Sequence, residues 1–238
     1  MTKTLILSFA ALSISFAAMS QARVGIKGGL NLSNISTDNS GGTMNKKTLP
    51  GYHIGVIADF PLLPQILSFQ PGVYYSTKGT KDLEIGDKNN PTLTDPYSKI
   101  TTNPSYIDIP LNFVFGIPIG TDSRLFAGVG PYFAFGVAGK NKTEFKTSPN
   151  TTITTSTSLK WDDDTPFNNG DANQGRDKYK RFDWGGNLMV GAEIHNFLIS
   201  AQYGLGMAKV YSGQTNSTDE KGKNRVFSVS VGYLFGGK

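Results

Sequence analysis

The stretch Arg225–Phe235, reading RVFSVSVGYLF, alternates strictly over most of its length. Phe227, Val229, Val231, Tyr233 and Phe235 fall on one face; Ser228, Ser230 and Gly232 fall on the other. A strict two-residue period specifies a β-strand with one apolar and one small polar side. Its length is that of a tilted strand crossing a bilayer. Such a strand cannot stand alone, because its backbone donors and acceptors need partners on both sides.

Seven earlier stretches repeat the pattern: Val24–Ser33, Tyr52–Phe60, Leu67–Ser76, Tyr106–Ile117, Arg124–Val137, Phe182–Ile194 and Phe197–Ala208. The connections between them alternate long and short. Polar segments such as Lys78–Pro104 and Lys140–Lys180 contrast with tight links at Pro61–Gln65, Pro118–Ser123 and His195–Asn196. Within the longest segment, Thr151–Ser158 has the composition to extend a strand pair. Alternation alone also fits a soluble barrel or sandwich. Two features favour lipid. The non-apolar faces are rich in glycine and short polar residues, which suit a cramped lumen. Aromatics collect at both ends of the apolar faces: Tyr52, Tyr75, Trp184 and Phe227 at the long-loop end, Phe60, Phe197 and Phe235 at the other. These have the positions of two interfacial girdles. The expectation is an all-β, eight-stranded antiparallel transmembrane up-and-down β-barrel with long extracellular loops and short periplasmic turns, in the outer membrane of a Gram-negative bacterium. Pro71, Pro110 and Pro131 fall inside strands, where each removes a ladder donor, so local irregularity is expected there.

The chain opens with Lys3, an apolar run Leu5–Ala18 and Ser20-Gln21-Ala22, which reads as a secretory signal peptide over residues 1–22. The barrel domain is then 23–238. No later run approaches the length of an apolar membrane helix. Cysteine is absent, which excludes disulfides and thiol chemistry. The formal charge is +5. In an exported protein this points to lipid phosphates as partners rather than nucleic acid.

Several phrases resemble the PorT-like outer-membrane β-barrel family of the Bacteroidota: Gly25-Ile26-Lys27-Gly28-Gly29-Leu30-Asn31, Phe69-Gln70-Pro71-Gly72 with Tyr75 to Lys78-Gly79, Tyr106-Ile107-Asp108-Ile109-Pro110-Leu111, and Gly130-Pro131-Tyr132. The resemblance covers nearly the whole chain after the leader. It implies an eight-stranded barrel. It also implies, as one functional alternative, an accessory of a surface-protein secretion system. The ending differs from that usual in bacterial barrels, since Gly236-Gly237-Lys238 follows the last aromatic.

Lys27, Asp59, Asp108, Arg124, Asp183 and Glu193 all fall on polar faces. Charges in a narrow interior must pair or reach water. An eight-stranded barrel is just wide enough for side chains to fill. The six therefore read as a lumen ion-pair network and plug, with a proton or small-ion path as the alternative. No catalytic residue is assigned. The chain has two histidines. His53 faces the lumen with its same-strand acid Asp59 roughly 20 Å away, and His195 sits in a tight turn. A lipid-modifying enzyme is thus the weakest functional reading. No cofactor and no metal are expected: Asp162-Asp163-Asp164 with Asp171 could hold calcium, but Pro166 stands where a third ligand belongs.

Basic residues gather beside the outer girdle: Lys46, Lys47, Lys78, Lys81, Lys140, Lys142, Arg176, Lys178, Lys180, Arg181, Lys209, Lys221, Lys223 and Arg225. A collar at this height would meet lipopolysaccharide phosphates, with Arg176, Lys178, Lys180 and Arg181 as its densest part. The plainer reading is that long polar loops hold most of any chain's charges. The sequence thus favours a non-enzymatic barrel presenting surface loops, whose partners are outer-membrane lipid, lipopolysaccharide and other envelope proteins.

Overall fold

The computed structural model describes residues 22–36, 45–85, 97–148, 151–163, 178–212 and 222–236. The expected leader lies outside them apart from Ala22. In chain order the strands are β1 (Arg23–Ser36), β2 (Asn45–Leu63), β3 (Leu67–Thr77), β4 (Thr80–Ile85), β5 (Tyr97–Pro118), β6 (Ser123–Ser148), β7 (Thr151–Ser158), β8 (Lys160–Trp161), β9 (Lys178–Tyr179), β10 (Phe182–Ile194), β11 (Phe197–Gly206) and β12 (Lys223–Phe235). Eight of them close a ring, β1-β2-β3-β5-β6-β10-β11-β12, and β12 pairs back onto β1 from Val24↔Phe235 to Ser36↔Lys223. Every neighbour in the ring is antiparallel. Closure leaves the ring without an edge, so the ladder satisfies backbone groups that lipid cannot.

The strand faces are sorted opposite to those of a water-soluble protein. Leu30 and Ile117 are 70% and 71% exposed, and apolar side chains from all eight ring strands are open to the outside. The residues facing inward include Asp59, Asn31, Ser68 and Asp183, all buried. A continuous apolar belt of this kind is a lipid surface, which rejects the soluble barrel or sandwich. The girdle aromatics touch one another: Tyr52 with Tyr75 across strands at the long-loop end, and at the short-turn end Phe197 with Tyr233 across strands and Tyr233 with Phe235 along β12.

The prolines bring the local irregularity expected of them, as gaps in the ladder rather than shifts of register. Pro71, Pro110 and Pro131 lie side by side on β3, β5 and β6, and the ladder pairing lapses beside them without any change of register. The register shifts fall elsewhere, between Pro61 and Leu63 on β2 and between Ser105 and Tyr106 on β5. A missing N–H therefore opens the ladder locally, while the in-out alternation holds the register in place.

The strands also run beyond the expected boundaries. β5 starts at Tyr97 and β6 continues to Ser148, pairing Tyr97↔Lys146 at their tips. Much of what the sequence suggested as loop is sheet that projects past the apolar belt. β4 takes the place of β3 between β2 and β5 after a break at Lys78-Gly79. Thr151–Ser158 does extend the sheet, as β7 against β6, with every residue exposed. β11 stops at Gly206, two residues short of expectation, because the Met207 and Ala208 amides donate to Trp184 O (2.8 and 3.3 Å).

Large lumen side chains sit against glycines. Gly55 is the register partner of Tyr74, Gly185 of Tyr132 and Gly191 of Phe126. A Cβ at these glycines would lie 2.8 Å from the Tyr74 ring, 2.8 Å from the Tyr132 ring and 2.5 Å from the Phe126 ring. The inward glycines are thus the space into which aromatic side chains fold. They help form an apolar layer of Ile57, Tyr74, Val114, Phe126, Met189, Leu198 and Leu234 inside the barrel.

Candidate functional site

The lumen holds the chemistry, in separate groups. At the short-turn end, Arg23 donates to Asp59 Oδ2 through Nε and Nη2 (3.2 and 2.5 Å) and to Glu193 through Nη1 and Nη2. Arg124 donates through Nε to Glu193 Oε2 (2.8 Å), and its Nη2 lies 3.6 Å from Asp59 Oδ2. Gln70 adds a donor to Asp59 Oδ1 (3.4 Å). Two guanidinium groups and two carboxylates form a neutral quartet at the inner end of a vestibule of about 250 Å³. Planar guanidinium groups suit this bridging, because each offers several donors in a fixed fork.

At the long-loop end the centre is Lys78. Its ammonium lies 2.6 Å from Asp108 Oδ1 and 3.7 Å from Asp183 Oδ2. It also sits 5.0 and 4.6 Å from the ring centroids of Tyr106 and Tyr132, within cation–π range. Asp183 Oδ2 accepts from Tyr132 Oη (3.1 Å) and Asn224 Nδ2 (2.9 Å). Above this group Trp161 packs edge-on to Tyr106, with ring centroids 5.7 Å apart. Leu159, Tyr179, Val210 and Tyr211 form a second apolar cluster beside Trp161. Gly136 makes room for the tryptophan, since a Cβ there would meet its ring at 2.2 Å.

The six expected lumen charges all lie inside the barrel or at its rim, Asp108 half-buried and the other five buried, but not as a single network. Asp59, Arg124 and Glu193 meet in the quartet; Asp108 and Asp183 meet at Lys78; Lys27 joins neither. Two members were missed. Arg23 continues the inward parity of Gly25, Lys27 and Gly29, and Lys78 continues that of Tyr74 and Ser76. Extending each strand by two residues at fixed period would have found both. Lys78, only 4% exposed, is therefore not part of an outer collar.

His53 is held between strands. Its Nδ1 lies 2.8 Å from Asn31 Oδ1, and its Nε2 lies 2.9 Å from Ser230 Oγ. An amide oxygen only accepts, so Nδ1 donates and Nε2 accepts from the hydroxyl. Both ring nitrogens are thus engaged within the wall of the lumen. His195 occupies a turn at φ 58°, donating its amide to Asp122 O. Among the described residues there is no cluster of metal-binding side chains; Asp164 and Asp171 lie outside them.

Of the densest basic group, Arg176 lies outside the described residues, as does Lys221. Lys178 Nζ is 3.3 Å from Asp162 Oδ2, Lys180 is half-buried and Arg181 is exposed. Lys47 and Lys140 are also exposed. On the projecting sheet, Glu144 accepts from Lys142 (2.6 Å) and Lys99 (2.5 Å). The hydrogen bonds from Lys142 and then Lys99 lower its pKa from 4.5 to about 2.

The sequence pattern of the outer membrane protein beta-barrel domain family matches residues 13–212. None of the curated proteins matches the chain. Among solved structures, the chain is similar to the attachment invasion locus protein Ail of Yersinia pestis in complex with the heparin analogue sucrose octasulfate. The identity is 15%, the coverage 90% of this chain and 99% of that one, and the TM-score 0.36. It is also similar to OprG of Pseudomonas aeruginosa, at 12% identity, 91% and 97% coverage and a TM-score of 0.42. Neisserial surface protein A matches at 11% identity, 89% and 97% coverage and a TM-score of 0.39.

Proposed function

The chain belongs to the outer membrane protein beta-barrel domain family, and from that premise we propose that it is a non-enzymatic barrel with a plugged lumen, acting through its outer surface. It resides in the outer membrane of a Gram-negative bacterium. The observation that carries the proposal is the division of the molecule. The lumen is filled by a neutral charge quartet, an apolar layer and the Lys78 group, while β5, β6 and β7 project an ordered sheet whose last strand is wholly exposed. A filled lumen has little room for substrate; the exposed sheet and basic residues have access to the cell surface. The ligand class this surface suits is anionic glycolipid, with lipopolysaccharide phosphates meeting Arg181, Lys180 and Lys178 together with Arg176. Replacing these four by glutamine should reduce the lipopolysaccharide that co-purifies with the barrel. Unchanged retention by a folded variant would refute this part of the reading.

A secretion accessory of the PorT-like kind is the second reading. It is favoured by one observation: the phrases Pro71-Gly72, Ile109-Pro110-Leu111 and Gly130-Pro131-Tyr132, which carry the resemblance, fall together on one patch of the wall. Cargo trapped in the periplasm of a deletion strain would favour it; an unchanged secretome would remove it.

A further inference from the structure

Lys27 is a buried cation outside both ion-pair groups. It is 6% exposed, and the contact its ammonium makes is to Met189 Sδ at 3.4 Å. Among the described residues it forms no ion pair. Thioether sulfur is a weak acceptor and leaves most of the ammonium's hydrogen-bonding capacity unused. A charge buried without a counterion is costly in a low-dielectric interior.

Lys27 lines a cavity of about 60 Å³ inside the barrel. Asn187 and Gln202 also line it, and each carries an amide donor. A single water needs roughly 10–15 Å³ of such volume, so the cavity has room for a monatomic ion with a few waters of its shell. Its far side carries Asp108, which Lys78 already engages. Charge on the wall therefore runs from positive at Lys27 to a carboxylate opposite. A divalent or bulky anion would be pushed against that carboxylate; a small monovalent one beside Lys27 would not.

We infer that the central cavity is a binding site for one chloride-sized monovalent anion, held by the Lys27 ammonium and the Asn187 and Gln202 amide donors around it. The bound anion supplies the counter-charge that the lumen withholds from this lysine and completes the filling of the barrel.

The test uses the full chain purified in detergent, unfolded thermally at constant ionic strength in sodium gluconate, sulfate, chloride or bromide. Chloride and bromide should raise Tm saturably, by about 3 °C when the site fills, while gluconate and sulfate should not. Lys27→Met should abolish the response. An equal chloride response in Lys27→Met, or none in the parent, would overturn the proposal. Should Lys27→Met fail to fold, crystals of the parent grown in bromide decide it. An anomalous peak beside Lys27 Nζ supports the site. Its absence, with ordered water bridging Lys27 to Asp108, overturns it.

Discussion

At the short-turn end of the lumen two guanidinium groups face two carboxylates; at the long-loop end one ammonium faces two. In the lower group every charge has two opposite partners, because Arg23 and Arg124 each reach both Asp59 and Glu193. In the upper group Lys78 is, among the described residues, the only cation touching Asp108 and Asp183, and neutral donors from Tyr132 and Asn224 carry the remaining load at Asp183. Redundancy makes the first group tolerant of a single loss. The second hangs on one side chain, placed where β3 breaks off.

The largest expected effect follows from that asymmetry. Lys78→Met should destabilise the barrel by about 3–5 kcal/mol, since it strands the buried Asp183 and half-buried Asp108 carboxylates. Arg124→Met should cost less, because Arg23 still bridges Asp59 and Glu193. Urea unfolding of both variants in lipid vesicles gives the comparison. Equal losses, or a larger loss at Arg124, would break the distinction. Adding Asp183→Asn to Lys78→Met should recover part of the loss, which a purely steric role for Lys78 would not allow.

Next in size is the packing between the two groups. Gly191→Ala places a Cβ 2.3 Å from Ile199 O and 2.5 Å from the Phe126 ring and should cost about 1–3 kcal/mol. Phe126→Leu in the same chain should relieve part of it. An additive pair would show that the Ile199 carbonyl, and not the Phe126 ring, sets the cost.

The smallest effect lies outside the membrane. Because the Glu144 pKa is depressed on folding, its contribution is present above about pH 4.5 and is lost as pH falls towards 2. Glu144→Gln should lower Tm slightly at neutral pH, by less than about 1 kcal/mol in stability for so accessible a pair. The gap to the parent should close across that acidic window. A gap independent of pH would contradict the pairing with Lys142 and Lys99.

The same contrast explains what could be read in advance. The ring was legible because apolar and polar residues alternate wherever one face meets lipid, as from Phe227 to Phe235. The inner charges were legible by parity, yet Arg23 and Lys78 were lost where strand ends were drawn too short. Ile57, Val114, Leu198 and Leu234 could not be read, because an apolar residue between apolar neighbours gives no sign that it faces inward. The projecting ends of β5 and β6 were equally silent. Both of their faces meet water there, so no alternation marks them. The split of the charges into two groups with Lys27 apart depends on stagger around the ring, which one strand's pattern does not contain.

The central claim is that the lumen is closed, and single-channel recording in planar bilayers tests it most directly. The parent protein should give no steady conductance on the nanosiemens scale, and Arg124→Met should leave that unchanged while the Lys78 group and the apolar layer remain. A stable nanosiemens opening in the parent would contradict the plug and, with it, the assignment of function to the outer surface alone.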